Sequence, residues 1–116
     1  MKFLLAQINP VVGDLKGNAK KILYIASKAF SVSADLVLTP ELSLWGYPAN
    51  DLLLKKNLIQ NQYEILNHLA LDIREKYGNL GITVGIAEII KDSFFPNLYN
   101  SIALLEGGKW LSLIHI

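Results

Sequence analysis

The sequence predicts an α/β fold, and three observations lead to this prediction. Residues 3–6 are apolar at successive positions, as in a strand that is buried on both faces of a sheet. A segment with helical periodicity follows, and a second strand is predicted over residues 34–38, which contain the apolar run 36–38. Because strand, helix and strand follow one another in fewer than forty residues, we expect a βαβ unit with parallel strands and a right-handed crossover.

The first helix is predicted from about Asn18 by apolar residues that recur at three- and four-residue spacings. Lys20, Lys21 and Lys28 fall on the other side of this helix, where they can stay hydrated. Either Asp14 or Asn18 can cap the helix, and the sequence leaves both possibilities open. The apolar stripe consists of Ala19, Ile22, Leu23, Ala26, Ala29 and Phe30.

The second half of the chain predicts a long helix followed by three strands. The helix ends at residues 76–78, where a lysine precedes a glycine that favours termination. A third strand is predicted over residues 82–87, and Gly85 within it indicates close packing or a bulge. Residues 98–105 form the fourth strand, and the turn at Glu106–Lys109 returns the chain antiparallel. The helix is predicted to bury Leu58, Ile65, Leu66, Leu69 and Ile73.

Composition and charge exclude several classes of protein. Of the 116 residues, 52% are hydrophobic and 18% are charged, which is typical of one globular domain with a buried core. A net charge of +1 gives no electrostatic basis for binding nucleic acid or an anionic membrane surface. With no cysteine and with only His68 and His115 as histidines, a metal site has little to build on. We find no signal peptide or membrane-spanning run and expect a cytoplasmic protein.

A single acid, Glu41, stands where the second strand ends. The apolar run 36–38 leads through Thr39 and Pro40 to this carboxylate, and an aromatic loop rich in glycine and proline follows at residues 42–48. Loops at the carboxyl ends of buried strands often carry the catalytic residues of α/β enzymes, so Glu41 is a candidate for chemistry. The alternative interpretation is that Glu41 is merely hydrated or caps a nearby helix.

Three segments together resemble the nitrilase, or carbon–nitrogen hydrolase, superfamily: residues 3–14 with Asn18, residues 35–48 and residues 98–105. The stretch from Glu41 to Leu54 is similar to the "PEL…GYP..DLLL" signature of the glutaminase domain in glutamine-dependent NAD synthetases. The resemblance implies that residues 1–110 are the N-terminal part of such a domain. The implied fold is an incomplete nitrilase-like α-β-β-α sandwich with two flanking helices and a C-terminal hairpin.

The resemblance also implies a mechanism. Members of the superfamily hydrolyse a carbon–nitrogen bond with a Glu–Lys–Cys triad, in which the cysteine forms a thioester and the glutamate acts as general base. Glu41 matches that glutamate and is our candidate catalytic residue. Tyr47 matches a tyrosine beside the glutamine pocket, although packing within the loop is an equal alternative. Because the chain has no cysteine and has Ile116 near the expected lysine position, we expect the 116-residue chain to be inactive.

The resemblance implies the following substrates and partners for the parent protein. Glutamine would supply ammonia, which would pass to an ATP-dependent synthetase domain that amidates deamido-NAD. ATP and Mg²⁺ are expected in that further domain, whereas no cofactor or metal is expected within the present residues. Homo-oligomerisation is expected for the parent. The alternatives are part of a stand-alone amidase of the superfamily, or a non-catalytic binding module.

The strands predicted so far make only one side of a sandwich, and we therefore expect a truncated chain. Residues 111–116 fit neither the strand nor the lysine of the family, and they equal a translation of a common sequencing-adapter end, so we predict a non-native tail.

Glu88 is interpreted as a solvent-facing acid that could alternatively reach the site of Glu41. Asn100 is expected to hydrogen-bond to backbone. Trp45 is expected to line the site or a subunit interface, and His68 to lie at the surface.

Overall fold

The computed structural model describes residues 1–46, 56–90 and 97–114. These residues form one five-stranded sheet in the order β1-β2-β3-β4-β5, with two helices packed against it. The strands β1, β2 and β3 are parallel, and β3, β4 and β5 are antiparallel. The elements are β1 Phe3–Leu5, α1 Leu15–Ser31, β2 Leu36–Leu38, α2 Lys56–Tyr77, β3 Gly81–Ile90, β4 Asn97–Glu106 and β5 Lys109–Ile114. The predicted α/β class and the βαβ opening are confirmed.

Helix α1 begins at Leu15, three residues before the start predicted from the apolar stripe, which was about Asn18. Asp14 is the N-cap, and its Oδ1 accepts a hydrogen bond of 3.0 Å from the backbone N–H of Gly17. This contact satisfies one of the free donors of the first helical turn. Asn18, the other candidate cap, lies in the first turn, where its side chain is used for a different contact described below.

The hairpin between β4 and β5 follows directly from its sequence. Gly107 and Gly108 both have positive φ, 64° and 79°. Two successive left-handed residues make the tight turn that suits the right-handed twist of antiparallel strands, and glycine adopts this conformation at the lowest cost. The antiparallel return is confirmed by the pairing of Glu106 with Lys109 and of Leu105 with Trp110. Residues 111–114, part of the predicted non-native tail, lie in β5.

The sheet has a helix-covered face and an open face, which the alternation of side chains along each strand defines. Helices α1 and α2 cover one face, where six core side chains of β2, β3 and β4 are fully buried: Val37, Ile82, Val84, Ile86, Ala103 and Leu105. The opposite face carries partly exposed apolar side chains from all but one of the strands: Phe3, Leu5, Leu38, Ile102 and Leu111. Most of the core of the described residues therefore lies on one side of the sheet.

The prediction that the first strand is buried on both faces is wrong. Phe3 is 56% exposed and Leu5 is 75% exposed, and only Leu4 packs against the core cluster. Strand β1 pairs with β2 along one edge only, and its odd-numbered residues point to the open face. An apolar run has the same appearance in a sequence whether one face or both faces of its strand are covered.

Candidate active site

The loop that follows β2, residues 39–46, carries the predicted catalytic acid and is called the site loop. Strand β2 ends at Leu38, opposite Thr83, whereas β3 continues to Ile90. The site loop takes the place of β2 beside this longer part of β3. Its attachment to β3 therefore decides where Glu41 lies.

Gly85 is the point at which the site loop contacts β3. Ser43 Oγ accepts a hydrogen bond of 2.9 Å from the Gly85 N–H, and the Leu44 N–H donates to the Gly85 carbonyl at 3.1 Å. A Cβ atom at position 85 would lie 2.3 Å from Leu42 N and 2.6 Å from the Pro40 carbonyl oxygen. Only glycine lets the loop backbone approach this closely, so the close packing predicted from Gly85 is confirmed.

Two hydroxyl groups connect the site loop to β3 through hydrogen bonds whose direction can be assigned. Thr39 Oγ1 donates its only proton to the Thr83 carbonyl at 2.6 Å, and lies 2.8 Å from Ser43 Oγ. Ser43 must therefore be the donor to Thr39, because a hydroxyl has one proton. Since Ser43 also accepts from Gly85, the chain runs from the Gly85 N–H through both hydroxyls to Thr83. Successive bonds in one direction polarise and strengthen one another.

Asn18 of α1 joins the site loop to a second loop, which connects β1 and α1. Asn18 is fully buried, and its Nδ2 donates to the carbonyls of Val11 and Leu44, each at 2.8 Å. Its Oδ1 accepts from the Val11 N–H at 2.8 Å, and the Gly13 N–H donates to the Trp45 carbonyl at 2.8 Å. The side chain of Asn18 thus satisfies three of its four hydrogen-bonding positions and holds the two loops together.

Gln62 of α2 closes the next part of the β3 edge. Its Nε2 donates to the Ala87 carbonyl at 2.7 Å, and its Oε1 accepts from the Ala87 N–H at 3.0 Å. Oε1 also accepts from Trp45 Nε1. A side-chain amide here replaces the backbone of a neighbouring strand. Trp45 is fully buried in the core, and the interpretation that it lines a site or subunit interface is wrong for the described residues.

The backbone next to Glu41 has an uncommon conformation. Leu42 has a φ of 51°, in the left-handed region that β-carbon sterics disfavour by about 1–2 kcal/mol. Its carbonyl accepts from the N–H groups of Trp45 and Gly46 at 2.9 and 2.8 Å, and its side chain is buried. These contacts hold the tight turn that follows the acid, while Ser43 and Leu44 keep the turn bonded to Gly85 of β3.

Glu41 lies at the surface, and its Oε1 accepts a hydrogen bond from Asn100 Nδ2. Asn100 belongs to β4 and pairs with Ala87, so it points to the open face of the sheet. The expectation that Asn100 hydrogen-bonds to backbone is wrong: the turn brings the carboxylate over β3 to within reach of this amide. Two side chains 59 positions apart in the sequence therefore meet at the end of the site loop.

The second acid considered for the site, Glu88, is not brought to Glu41. Tyr47 lies outside the described residues. His68 is exposed on α2, as predicted. Glu88 follows Ala87 in β3, so its side chain points to the helix-covered face, opposite to that of Asn100. Glu88 therefore does not share the site, and the alternative that it reaches Glu41 is wrong.

Glu88 influences a tyrosine of α2 instead. Burial raises the pKa of the Tyr63 phenol above its ordinary value, and the negative charge of Glu88 raises this pKa further. The Tyr63 ring stacks on Trp110 with 5.7 Å between centroids and an interplanar angle of 6°. Trp110 Nε1 in turn donates to Asn67 Oδ1 at 2.7 Å. This cluster ties α2 to β5 on the helix-covered face.

Sequence reasoning missed Gln62 and the hydroxyls of Thr39 and Ser43. Gln62 stands four residues after Leu58 and four before Leu66, in the middle of the apolar stripe of α2. A polar residue at such a position must find buried partners, and this was an available signal. The hydroxyls gave no comparable signal, because their partners lie on another strand.

Two kinds of feature are absent from the described ranges. Across residues 1–46, 56–90 and 97–114, no cluster of three or more His, Cys, Asp or Glu side chains could hold a metal ion. Among the same residues, neither helix is both long enough and apolar enough to cross a bilayer.

A mixed α/β sheet that presents a carboxylate on the loop after a strand end is an arrangement found in α/β enzymes. The match to a family model agrees with this class: residues 5–115 match the carbon-nitrogen hydrolase family. The chain belongs to this family.

The curated relatives show which members of the family this chain resembles. The chain is 38% identical over 111 residues to a glutamine-dependent NAD(+) synthetase of Synechocystis, covering 96% of this chain and 20% of the relative. It is 34% identical over 113 residues to a glutamine-dependent NAD(+) synthetase of Thermotoga maritima, covering 97% of this chain and 18% of the relative. The chain thus spans about a fifth of the length of these relatives.

Solved structures agree with the fold. A glutamine-dependent NAD+ synthetase from Acinetobacter baumannii in complex with ADP matches with a TM-score of 0.81 and 32% identity, over 97% of this chain and 20% of that one. An amidase from Nesterenkonia matches with a TM-score of 0.74 and 21% identity, over 100% of this chain and 43% of that one. The second similarity shows the fold alone.

Proposed function

We propose that this chain is part of the glutamine-hydrolysing domain of a glutamine-dependent NAD synthetase, with Glu41 as the general base. The observation that supports this most is the delivery of Glu41 by a loop hydrogen-bonded to β3 at Gly85, with an amide donor on its carboxylate. The relatives of at least 34% identity add the substrate, because both are glutamine-dependent NAD(+) synthetases.

In the proposed chemistry, Glu41 accepts and returns a proton in each of two successive reactions. A cysteine elsewhere in the full-length protein attacks the amide carbon of glutamine, and Glu41 accepts the thiol proton. The same proton passes to the departing ammonia as the thioester forms. Water then attacks the thioester, Glu41 accepts a proton from that water, and the proton returns to the thiolate as glutamate leaves. Because the chain itself has no cysteine, we propose that the 116 residues alone do not hydrolyse glutamine.

The remaining steps of the whole protein are part of the same proposal. The ammonia would amidate deamido-NAD in an ATP- and Mg²⁺-dependent domain, and the full-length protein would be a homo-oligomer in the cytoplasm. The amidation step would depend on ammonia from the domain to which this chain belongs. For this to occur, glutamine hydrolysis would have to produce ammonia at the open face of the sheet.

The test is glutamine hydrolysis by the full-length protein, followed as glutamate and ammonia release. Glu41→Gln keeps the shape of the side chain and removes the base, so we expect kcat to fall about 10²- to 10⁴-fold. Glu64→Gln is the matched control, because Glu64 is exposed on α2. Wild-type kcat in Glu41→Gln would refute the role of Glu41. A preference for short aliphatic amides over glutamine would refute the substrate and favour an amidase.

A further inference from the structure

The backbone of Glu41 and its carboxylate are held by different contacts. The hydrogen bonds at Gly85 fix the backbone of the site loop. They leave the three side-chain torsions of a glutamate undetermined. An exposed glutamate can occupy several rotamers, each of which places its oxygens differently. Within the described ranges, the donor that reaches the carboxylate is Asn100 Nδ2.

Asn100 is itself rigidly placed by the sheet. It lies in β4 opposite Ala87, two pairs beyond Gly85 and Ile102 in the β3–β4 register. Gly85, Ala87, Asn100 and Ile102 point to the same face, and the first two carry little or no side chain. The small residues leave space for the site loop, and Asn100 stands at the border of that space. The loop and its amide donor are therefore fixed on the same pair of strands.

The bond between Asn100 and Glu41 adds little to folding. Both residues are exposed, and hydrogen bonds and ion pairs at the surface contribute little to stability because water competes for both partners. Its main consequence is geometric, since it selects one arrangement of the carboxylate. A general base needs this selection, because it must lie within hydrogen-bond reach of the proton that it accepts.

We propose that Asn100 is a positioning residue for the general base. Its amide N–H occupies Oε1 of Glu41, which assigns Oε2 to the proton of the nucleophile. This inference rests on the proposed function of Glu41. It goes further by naming the group that orients the base and the carboxylate oxygen that carries the proton.

The test uses two variants of the full-length protein. Asn100→Leu removes the amide donor at similar volume, and Asn100→Asp keeps the shape and replaces the donor by a second carboxylate. We expect kcat for glutamine hydrolysis to fall about 10- to 100-fold in Asn100→Leu, the loss typical of one hydrogen bond to a charged group. KM should stay within about threefold, because the base acts in the chemical steps. Asn100→Asp should lose more, since like charges repel.

Asn67→Asp is the matched control, because it makes the same change on α2 and keeps the Oδ1 that Trp110 uses. It should retain wild-type kcat. The melting temperatures of both Asn100 variants should stay close to that of the wild type. Wild-type kcat in Asn100→Leu, or a rise in KM without a fall in kcat, would overturn the proposal if Glu41→Gln is inactive. Wild-type kcat in Glu41→Gln would instead refute the proposed function itself.

Discussion

The two faces of the sheet have different roles. On the helix-covered face, buried Ile86 and its neighbours pack against α1 and α2 and supply the core. On the open face, the polar residues Glu41 and Asn100 meet beside partly exposed apolar side chains such as Ile102. The face that stabilises the chain and the face that carries the candidate chemistry are opposite sides of the same strands.

This division shows why the site loop needs so many polar contacts. The buried side chains of Leu44 and Trp45 fix only part of the site loop, and apolar packing does not hold the backbone that crosses the other face. Gly85, Ser43 and Asn18 therefore hold it through hydrogen bonds to backbone. Changes on the helix-covered face should lower stability, and changes at the loop contacts should affect both stability and catalysis.

The largest expected difference is between two isoleucines on neighbouring strands. Ile86 is fully buried, and Ile102 is 37% exposed on the open face. Ile86→Ala should lower the free energy of unfolding of the 116-residue chain by about 3–4 kcal/mol, because it removes buried methylenes and leaves a cavity. Ile102→Ala should cost less than about 1 kcal/mol. Urea unfolding of both variants measures the difference. Equal losses would show that something covers the open face, for instance a second copy of the chain.

Gln62→Leu tests whether the polar closure of the β3 edge matters as much as apolar packing. The change would leave three buried groups without a partner, namely the Ala87 N–H, the Ala87 carbonyl and Trp45 Nε1. Unsatisfied buried groups cost about 1–3 kcal/mol each, and partial relaxation leads us to expect a total of about 3 kcal/mol. Gln60→Leu is the control, because Gln60 is exposed on the same helix. A stability of Gln62→Leu equal to that of the wild type would contradict this account of the edge.

Ser43→Ala should have a smaller effect on stability and a clearer effect on the site. It interrupts the hydrogen-bond chain between Gly85 and Thr39 and leaves the buried Gly85 N–H unsatisfied. We expect a loss of about 1–2 kcal/mol in urea unfolding. In the full-length protein, kcat for glutamine hydrolysis should also fall, because the site loop carries Glu41. Ser27→Ala, on α1 and away from the site, should change neither quantity. An unchanged kcat in Ser43→Ala would show that this contact does not position the acid.

The smallest expected effect is the pH dependence contributed by Tyr63. Its pKa is raised in the folded chain by burial and by Glu88, so the folded state holds the phenolic proton more tightly than the unfolded state. This contribution is fully present below the unfolded pKa and is lost as pH rises from about 10 through the folded pKa. Wild type should therefore lose slightly more stability than Tyr63→Phe as pH rises above about 10. Identical slopes in urea unfolding would contradict the assignment.

The sequence predicted most of the elements because their signals are local. Apolar periodicity was sufficient for α1, α2 and the strands, and two glycines were sufficient for the β4–β5 turn. The errors concern long-range information. Burial of Phe3 and Leu5 depends on what covers the open face, and an apolar run does not contain that information.

The candidate site was predictable only in part for the same reason. Glu41 could be found from its place after an apolar run and from its resemblance to the family. Its contact with Asn100 could not, because it depends on the β3–β4 register and on the left-handed turn at Leu42. Neither feature has a local signature in the sequence.

A double-mutant cycle between Glu41 and Asn100 tests the central claim most directly. The measured quantity is kcat for glutamine hydrolysis by the full-length protein, in Glu41→Gln, in Asn100→Leu and in the combination of the two. If Asn100 acts through the carboxylate that it orients, its loss should add nothing once Glu41 is glutamine, and the double variant should match Glu41→Gln. If the two losses multiply, Asn100 acts independently of Glu41, and this account of the site is wrong.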